Sequence, residues 1–205
     1  MTASTSFIHV FEPGAAASAP PLFLLHGTGG SEHDLIALGR QLSPGSALLS
    51  PRGLVSEHGA NRFFARLGAG VFDPDEVTRR THELADLIAA ACRQNFLPAG
   101  RLVAVGFSNG ANIAATLLQL RPETLAGAIL LRPMVVLDTP APTDSLKGKR
   151  ILIASGTRDS IMPADHPERL AALLCRGGAE VIRQMSAASH NLTTGDFAAA
   201  KNFLT

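Results

Sequence analysis

The segment at residues 101–118 constrains the fold of this chain more than any other. An apolar run at 101–105 leads directly into Gly-Phe-Ser-Asn-Gly at 106–110, and helical spacing follows at 111–118. An apolar run that ends at glycine indicates a buried strand, and a tight passage from strand to helix leaves the hydroxyl of Ser108 exposed at the tip of the turn. The segment therefore predicts a strand, a sharp turn and a helix, with Ser108 as a candidate nucleophile. The alternative is a glycine-rich turn in which Ser108 only caps the helix.

Strand-like and helix-like segments alternate from about residue 20 to the C-terminus. Apolar runs predict strands at 7–11, 22–25, 47–50, 101–105, 126–131, 150–155 and 180–185. Apolar residues three and four positions apart predict helices at 31–42, 73–94, 111–118, 164–176 and 193–203. Strands separated by helices imply a mostly parallel twisted sheet with helices on both faces. We therefore expect an α/β protein with one domain over residues 1–205 and no room for a large lid.

Local signals place several boundaries of these elements. Asp73 followed by Pro74 and Glu76 is a strong helix start, and Ser31 is the expected N-cap of the first helix. The stretch at 61–71 mixes glycine and alanine with phenylalanine and arginine, so we expect a loop there.

Composition excludes several classes of function. The formal net charge of +1 gives no electrostatic footprint for nucleic acid or anionic lipid. The first seven residues lack the pattern of a signal peptide, and no apolar stretch approaches the roughly 20 residues that span a bilayer. Cys92 and Cys175 lie in apolar helical stretches, so we expect two buried free thiols, with no disulfide framework and no metal site. These features favour a cytoplasmic protein.

A serine hydroxyl needs a base to accept its proton, and the base needs an acid to orient it. His190 follows the last predicted strand, and Asp159 follows the strand at 150–155. Both positions fit a Ser108–Asp159–His190 triad, because loops at the carboxyl ends of parallel strands share one edge of a sheet. The alternatives are a loop histidine and a turn aspartate. The competing residues, which belong to an earlier loop or a helix start, are Asp138, Asp144, Asp165 and His166, the last expected at the surface.

Two backbone N–H groups are expected to bind the oxyanion of a tetrahedral intermediate. One is the N–H of Asn109, directly after the nucleophile. The other is the N–H of Thr28, within His-Gly-Thr-Gly-Gly at 26–30, which follows an early strand. The alternative is a glycine-rich loop that only turns the chain.

Four motifs together resemble the small serine carboxylesterases of the phospholipase/carboxylesterase family of α/β-hydrolases. They lie at 25–30, 106–110, 156–159 and 189–190 and span most of the chain. Two features depart from many members: Asn109 stands where glutamine is common, and 62–66 with 71–73 replace an aromatic-rich lid. Together with 131–134, they resemble the branch of hydrolases linked to hydroquinone and other aromatic compounds. The resemblance implies an α/β-hydrolase fold, ester hydrolysis and no cofactor, and it leaves a homodimer open.

The region between the third strand and the long helix is expected to surround the substrate. The candidate substrate contacts there are Arg52, Arg62, Phe63, Phe64, Arg66 and Phe72. Phenylalanines would form an apolar wall and an arginine would pair with a polar group, although phenylalanines also form cores and arginines also hold loops. We expect small soluble esters, including aryl esters. The alternatives are a thioesterase or lysophospholipase with the same triad, and a non-catalytic small-molecule sensor.

Overall fold

The computed structural model describes residues 7–205, so the first six residues of the predicted N-terminal segment lie outside the described residues. The strands are β1 His9–Glu12, β2 Leu22–Leu25, β3 Leu48–Pro51, β4 Val55–Glu57, β5 Ala60–Arg62, β6 Val103–Phe107, β7 Gly127–Leu131, β8 Arg150–Gly156 and β9 Glu180–Ser186. The helices are α1 Ile36–Leu42, α2 Pro74–Gln94, α3 Asn109–Leu120, α4 His166–Arg176 and α5 Thr194–Leu204. No helix within residues 7–205 is long and apolar enough to cross a membrane.

Seven strands form one sheet in the order β1-β3-β2-β6-β7-β8-β9. Among the described strands of this sheet, only the edge strand β1 runs antiparallel, against β3, and the other neighbours pair in parallel. The predicted mostly parallel sheet is therefore confirmed. Because all the carboxyl ends of the parallel strands lie at one edge, the loops after β2, β6, β8 and β9 gather there.

Helices cover both faces of the sheet, as the alternation predicted. Strand residues with odd and even positions point to opposite faces, so Leu22 and Leu24 pack with α1 and α5, while Phe23 and Leu25 pack with α2, α3 and α4. The central strands β2 and β7 are buried at every position. Burial on both faces explains why these strands are apolar runs and not alternating patterns.

Two helix starts follow from capping side chains. The Asp73 carboxylate accepts a hydrogen bond from the N–H of Asp75, with Pro74 at the first helical position, as predicted for α2. At α5, Thr193 and Asp196 form a reciprocal capping box.

Two predictions about local structure are wrong, and a third holds only in part. Helix α1 begins at Ile36, because the Ser31 hydroxyl forms a turn by accepting from the N–H of His33 and donating to Asp34, and so caps no helix. The expected loop at 61–71 holds from residue 63 onward, outside every named helix and strand, but its first two residues belong to β5, which forms a hairpin with β4. Cys175 is exposed, because the buried face of α4 runs through Leu170, Leu173 and Leu174 and not through the cysteine; Cys92 is buried as expected.

Candidate active site

Ser108 occupies a sharp turn between β6 and α3. Its backbone has φ 51° and ψ −115°, a conformation that non-glycine residues rarely adopt. The turn is tight on both sides of the serine. A Cβ atom at Gly106 would lie 2.5 Å from the carbonyl oxygen of Gly110, and one at Gly110 would lie 2.0 Å from that of Leu25. The two glycines therefore let α3 start directly against the sheet.

The structure brings Ser108, His190 and Asp159 together at the carboxyl edge of the sheet. The Ser108 Oγ lies 2.9 Å from Nε2 of His190, and Nδ1 of His190 lies 2.7 Å from Oδ2 of Asp159. Asp159 is fixed further by the N–H of Ile161, which donates to its Oδ1 at 3.0 Å. A carboxylate can only accept from Nδ1, so we assign the proton there, which leaves Nε2 free to accept from the serine. The Asp159 side chain is inaccessible to solvent, whereas that of His190 is 23% exposed.

The predicted oxyanion residues Thr28 and Asn109 both line the cavity beside Ser108. Neither backbone N–H donates a hydrogen bond to another described residue. The chain from β5 to Phe63 holds both residues in place: Arg62 donates to the Thr28 hydroxyl at 2.6 Å, and the N–H of Phe63 donates to Oδ1 of Asn109 at 2.7 Å. The site thus has two open N–H donors, one in the loop after β2 and one at the start of α3.

His26 fixes the loop that carries Thr28. Its Nδ1 lies 2.6 Å from the carbonyl oxygen of Gly27, and its Nε2 accepts from the N–H of Gly53 at 3.0 Å. These partners require a neutral ring with the proton on Nδ1. Burial lowers the pKa of His26 below its usual 6.5, against the smaller opposing effect of the bond to Gly27. The ring also stacks on Phe63, with ring centroids 4.7 Å apart.

Arg132 holds the loop that carries His190, a role that the sequence did not reveal. Its buried guanidinium donates to the carbonyl oxygens of Ser189 at 3.3 Å and Asn191 at 2.7 Å, on either side of the histidine. It also pairs with the buried carboxylate of Asp196 at 2.7 Å. Burial alone would raise the pKa of Asp196, but hydrogen bonds from Arg132 and other neighbours lower it overall.

The cavity beside Ser108 has a volume of about 270 Å³. Of the predicted substrate contacts, Arg62, Arg66 and Phe72 line it. Further lining residues, which the sequence did not single out as substrate contacts, are Gly70, Phe107, Asn112, Arg132, Met134, Ile161 and Met162. The ring of Phe107, which lines the cavity, has its centroid 5.3 Å from that of His190.

Three predicted substrate contacts lie elsewhere. Phe63 and Phe64 are buried in the core, 3% and 0% exposed, and are absent from the described cavity lining. Arg52 forms a bidentate pair with Glu32 at 2.6 and 2.7 Å, also away from the cavity. That hydrogen-bonded pair lowers the pKa of Glu32 to about 2. His166 is half-buried rather than a surface residue, because its Nδ1 accepts from the N–H of Val135 at 3.1 Å.

No described group of three or more His, Cys, Asp or Glu side chains is arranged to hold a metal ion. In the described site, a hydroxyl, an imidazole and a buried carboxylate are joined by two hydrogen bonds. Two open N–H donors lie beside them. Such an arrangement can activate an oxygen nucleophile and stabilise an oxyanion.

The chain belongs to the alpha/beta hydrolase fold family, whose model matches residues 20–176. It is therefore a hydrolase, and the family resemblance that the sequence motifs indicated is confirmed. A curated relative from Bacillus subtilis (strain 168), named "Putative hydrolase MhqD", is 42% identical over 185 residues, which cover 90% of this chain and 91% of the relative.

Solved structures of carboxylesterases have the same fold. The Bacillus cereus carboxylesterase superposes with a TM-score of 0.93 and 39% identity, over 98% of this chain and 94% of its own. A carboxylesterase from Mesorhizobium loti has a TM-score of 0.87 and 31% identity, over 97% and 94% of the two chains.

Proposed function

We propose that this protein is a serine carboxylesterase that hydrolyses small soluble carboxylic esters, including aryl esters. The observation that carries the proposal is the continuous series of hydrogen bonds from Ser108 through His190 to the buried Asp159, at 2.9 and 2.7 Å. The similarity to two carboxylesterases of known structure supports the choice of ester over other hydrolase substrates.

In the first half-reaction, Ser108 Oγ attacks the ester carbonyl while Nε2 of His190 takes its proton. Asp159 stabilises the resulting imidazolium through Nδ1. The negative charge on the former carbonyl oxygen is received by the open N–H groups of Thr28 and Asn109, each contributing roughly 3 kcal/mol to stabilisation of the transition state. His190 then donates its proton to the leaving alcohol, and Ser108 remains acylated.

In the second half-reaction, water occupies the place that the alcohol has left. His190 takes a proton from this water, and the oxygen attacks the acyl carbon through a second oxyanion at the same donors. Collapse of that intermediate returns the proton to Ser108 Oγ and releases the carboxylic acid.

The dimensions of the cavity support small substrates. Its volume of about 270 Å³ lies just below the usual range of small-molecule sites. The apolar part of its wall, which includes Phe72, Phe107 and Met134, suits an aryl or short acyl group. On 4-nitrophenyl esters of increasing chain length, we therefore expect kcat/KM to be highest for the short chains.

A fluorophosphonate probe followed by peptide mapping tests the proposal. We expect a single label on Ser108, absent in Ser108→Ala, and ester turnover that is lost in the same variant while its circular dichroism is unchanged. Label on another residue would overturn the assignment. Faster turnover of acyl-CoA or lysophospholipid would assign the same triad to a thioesterase or lysophospholipase, and an unlabelled, inactive protein would favour a sensor.

A further inference from the structure

Backbone N–H groups fix the side chains of the two asparagines in the cavity wall. Oδ1 of Asn109 accepts from the N–H of Phe63 at 2.7 Å, and Oδ1 of Asn112 accepts from the N–H of Met134 at 2.7 Å. Because these partners are N–H groups, they contact the oxygen of each amide, and each NH2 group faces elsewhere. The buried Nδ2 of Asn109 has no hydrogen-bond partner among the described residues.

The arginines of the cavity wall differ in how their charge is balanced. Arg132 is matched one to one by the buried Asp196, at 2.7 Å. Arg62 and Arg66 share one carboxylate: Nε of Arg66 lies 2.6 Å from Oε1 of Glu57, and Nε of Arg62 lies 3.3 Å from Oε2. Two guanidinium groups facing one carboxylate leave one positive charge unmatched within this cluster. The described lining contains no aspartate or glutamate to offset it.

Arg66 is the member of this cluster that is free to bind a ligand. Its side chain is 44% exposed, and among the described residues its two terminal nitrogens have no hydrogen-bond partner. Arg62 is 5% exposed and already donates to the carbonyl of Phe64 and the hydroxyl of Thr28. The paired terminal nitrogens of Arg66 present the geometry that recognises a carboxylate with two parallel hydrogen bonds.

We propose that the ester hydrolysed at this site carries a carboxylate, which Arg66 binds through hydrogen bonds. The positive charge of the buried Arg62 attracts the same carboxylate without contacting it. This inference depends on the proposed esterase function and names its substrate class. The hydrocarbon part of the substrate lies against the apolar wall, which includes Phe72 and Met162. Because the cavity is only about 270 Å³, the carboxylate lies within a few carbon atoms of the ester carbonyl.

Two pairs of esters test the proposal, each a free carboxylate and its methyl ester, with release of the phenol as the measured reaction. In the first pair, 4-acetoxybenzoate is compared with methyl 4-acetoxybenzoate, which places the carboxylate on the alcohol side. In the second, mono(4-nitrophenyl) adipate is compared with its methyl ester, which places it on the acyl side. The quantity measured is the ratio of kcat/KM for the anionic and the neutral member. We expect a ratio of at least about 10 in one pair, falling toward 1 as ionic strength rises.

Three variants separate Arg66 from other sources of such a preference. Arg66→Met is expected to reduce the ratio by about tenfold or more, because the bidentate contact is lost. Glu57→Gln is expected to raise it, since the shared negative charge is removed. Arg40→Met is the matched control, because Arg40 also pairs with a single glutamate, Glu12, but lies outside the described cavity lining; its ratio should equal that of the unmodified protein.

A ratio near 1 in both pairs, or a preference that survives Arg66→Met, would overturn the carboxylate proposal. If the neutral esters are hydrolysed and this activity is lost in Ser108→Ala, the esterase function is still supported. The absence of turnover for all four esters would instead defeat the esterase function itself, and the substrate proposal with it.

Discussion

At the scale of single residues, the site depends on side chains that position the reacting groups without contacting the substrate themselves. Arg132 binds the carbonyl oxygens on both sides of His190 and is anchored by Asp196, which also caps α5. The imidazole is therefore positioned from behind by a planar group with several donors in a fixed arrangement. A lysine, which offers a single ammonium group, could match the charge of Asp196 but not this geometry.

Variants of Arg132 should separate its charge from its shape. Arg132→Met leaves the Asp196 carboxylate buried and unpaired, so we expect it to lower the free energy of unfolding by about 3–5 kcal/mol. Arg132→Lys should recover much of that stability while kcat stays on the order of 100-fold low, because the His190 loop is no longer held on both sides. Urea unfolding and steady-state kinetics measure the two effects.

The matched control for Arg132 is Arg101→Lys. Arg101 also donates to two backbone carbonyls, of Ala17 and Ser18, but in an exposed loop. We expect its kcat to be unchanged. Equal recovery of stability and of kcat in Arg132→Lys would show that Arg132 has only a structural role.

At the scale of elements, the approach of α3 to the sheet fixes the position of the nucleophile. Only a hydrogen atom fits at Gly110, because its Cα faces the carbonyl oxygens of Leu25 and His26 across the junction with β2. The same junction places the loop with Thr28 beside Ser108. Displacement of α3 would therefore move the serine and one oxyanion donor apart.

Gly110→Ala should thus impair both folding and activity. Its Cβ would lie 2.0 Å from the Leu25 oxygen, so the backbone must shift, and we expect a loss of about 1–3 kcal/mol or more in the free energy of unfolding. Gly68→Ala is the control, since a Cβ there meets no atom within 4 Å. Similar unfolding midpoints in urea for the two variants would contradict this account of the turn.

The hairpin of β4 and β5 illustrates what sequence patterns miss at this scale. Each of its strands is three residues long, and β5 reads Ala-Asn-Arg, which carries neither strand periodicity nor an apolar run. Its position depends on tertiary hydrogen bonds: the carbonyl of Asn61 accepts from the N–H of Gly29, and its side chain donates to Gly30. Contacts of this kind, between residues some 30 positions apart, leave no local signal.

At the scale of the whole molecule, the order of strands and helices could be predicted and the partners of charged groups could not. Apolar runs and glycine signals are local, so the sequence alone predicts Ser108, Asp159 and His190 at one edge of the sheet. Arginine pairing depends on which carboxylates the fold brings near. For that reason Arg52, paired with Glu32, was wrongly expected at the cavity, while the anchoring of Arg132 was not foreseen.

Stability should depend on pH through groups that the fold buries. Burial lowers the pKa of His26 and His166 below 6.5, so the unfolded chain binds more protons and the free energy of unfolding falls as pH drops below about 6.5. Glu32, with a pKa of about 2 against 4.5 when unpaired, adds stability that is complete above 4.5 and lost toward pH 2.

Urea unfolding at intervals of pH measures this dependence. Between pH 7 and 5, we expect a positive slope of stability with pH that decreases in His26→Gln and again in His26→Gln/His166→Gln. A flat profile in the unmodified protein, or an unchanged slope in the double variant, would contradict the assignment of two imidazoles that the fold keeps neutral.

The central claim is that Ser108 and His190 act as one unit in ester hydrolysis. Two residues that take part in the same proton transfer depend on each other. Once one of them is replaced, replacing the other should therefore reduce kcat little further. The most direct measurement is kcat on a short-chain 4-nitrophenyl ester for Ser108→Ala, His190→Ala and the double variant. We predict that all three fall by about 10⁴-fold or more, to nearly the same value. Losses that multiply in the double variant, or substantial activity in Ser108→Ala, would contradict the account.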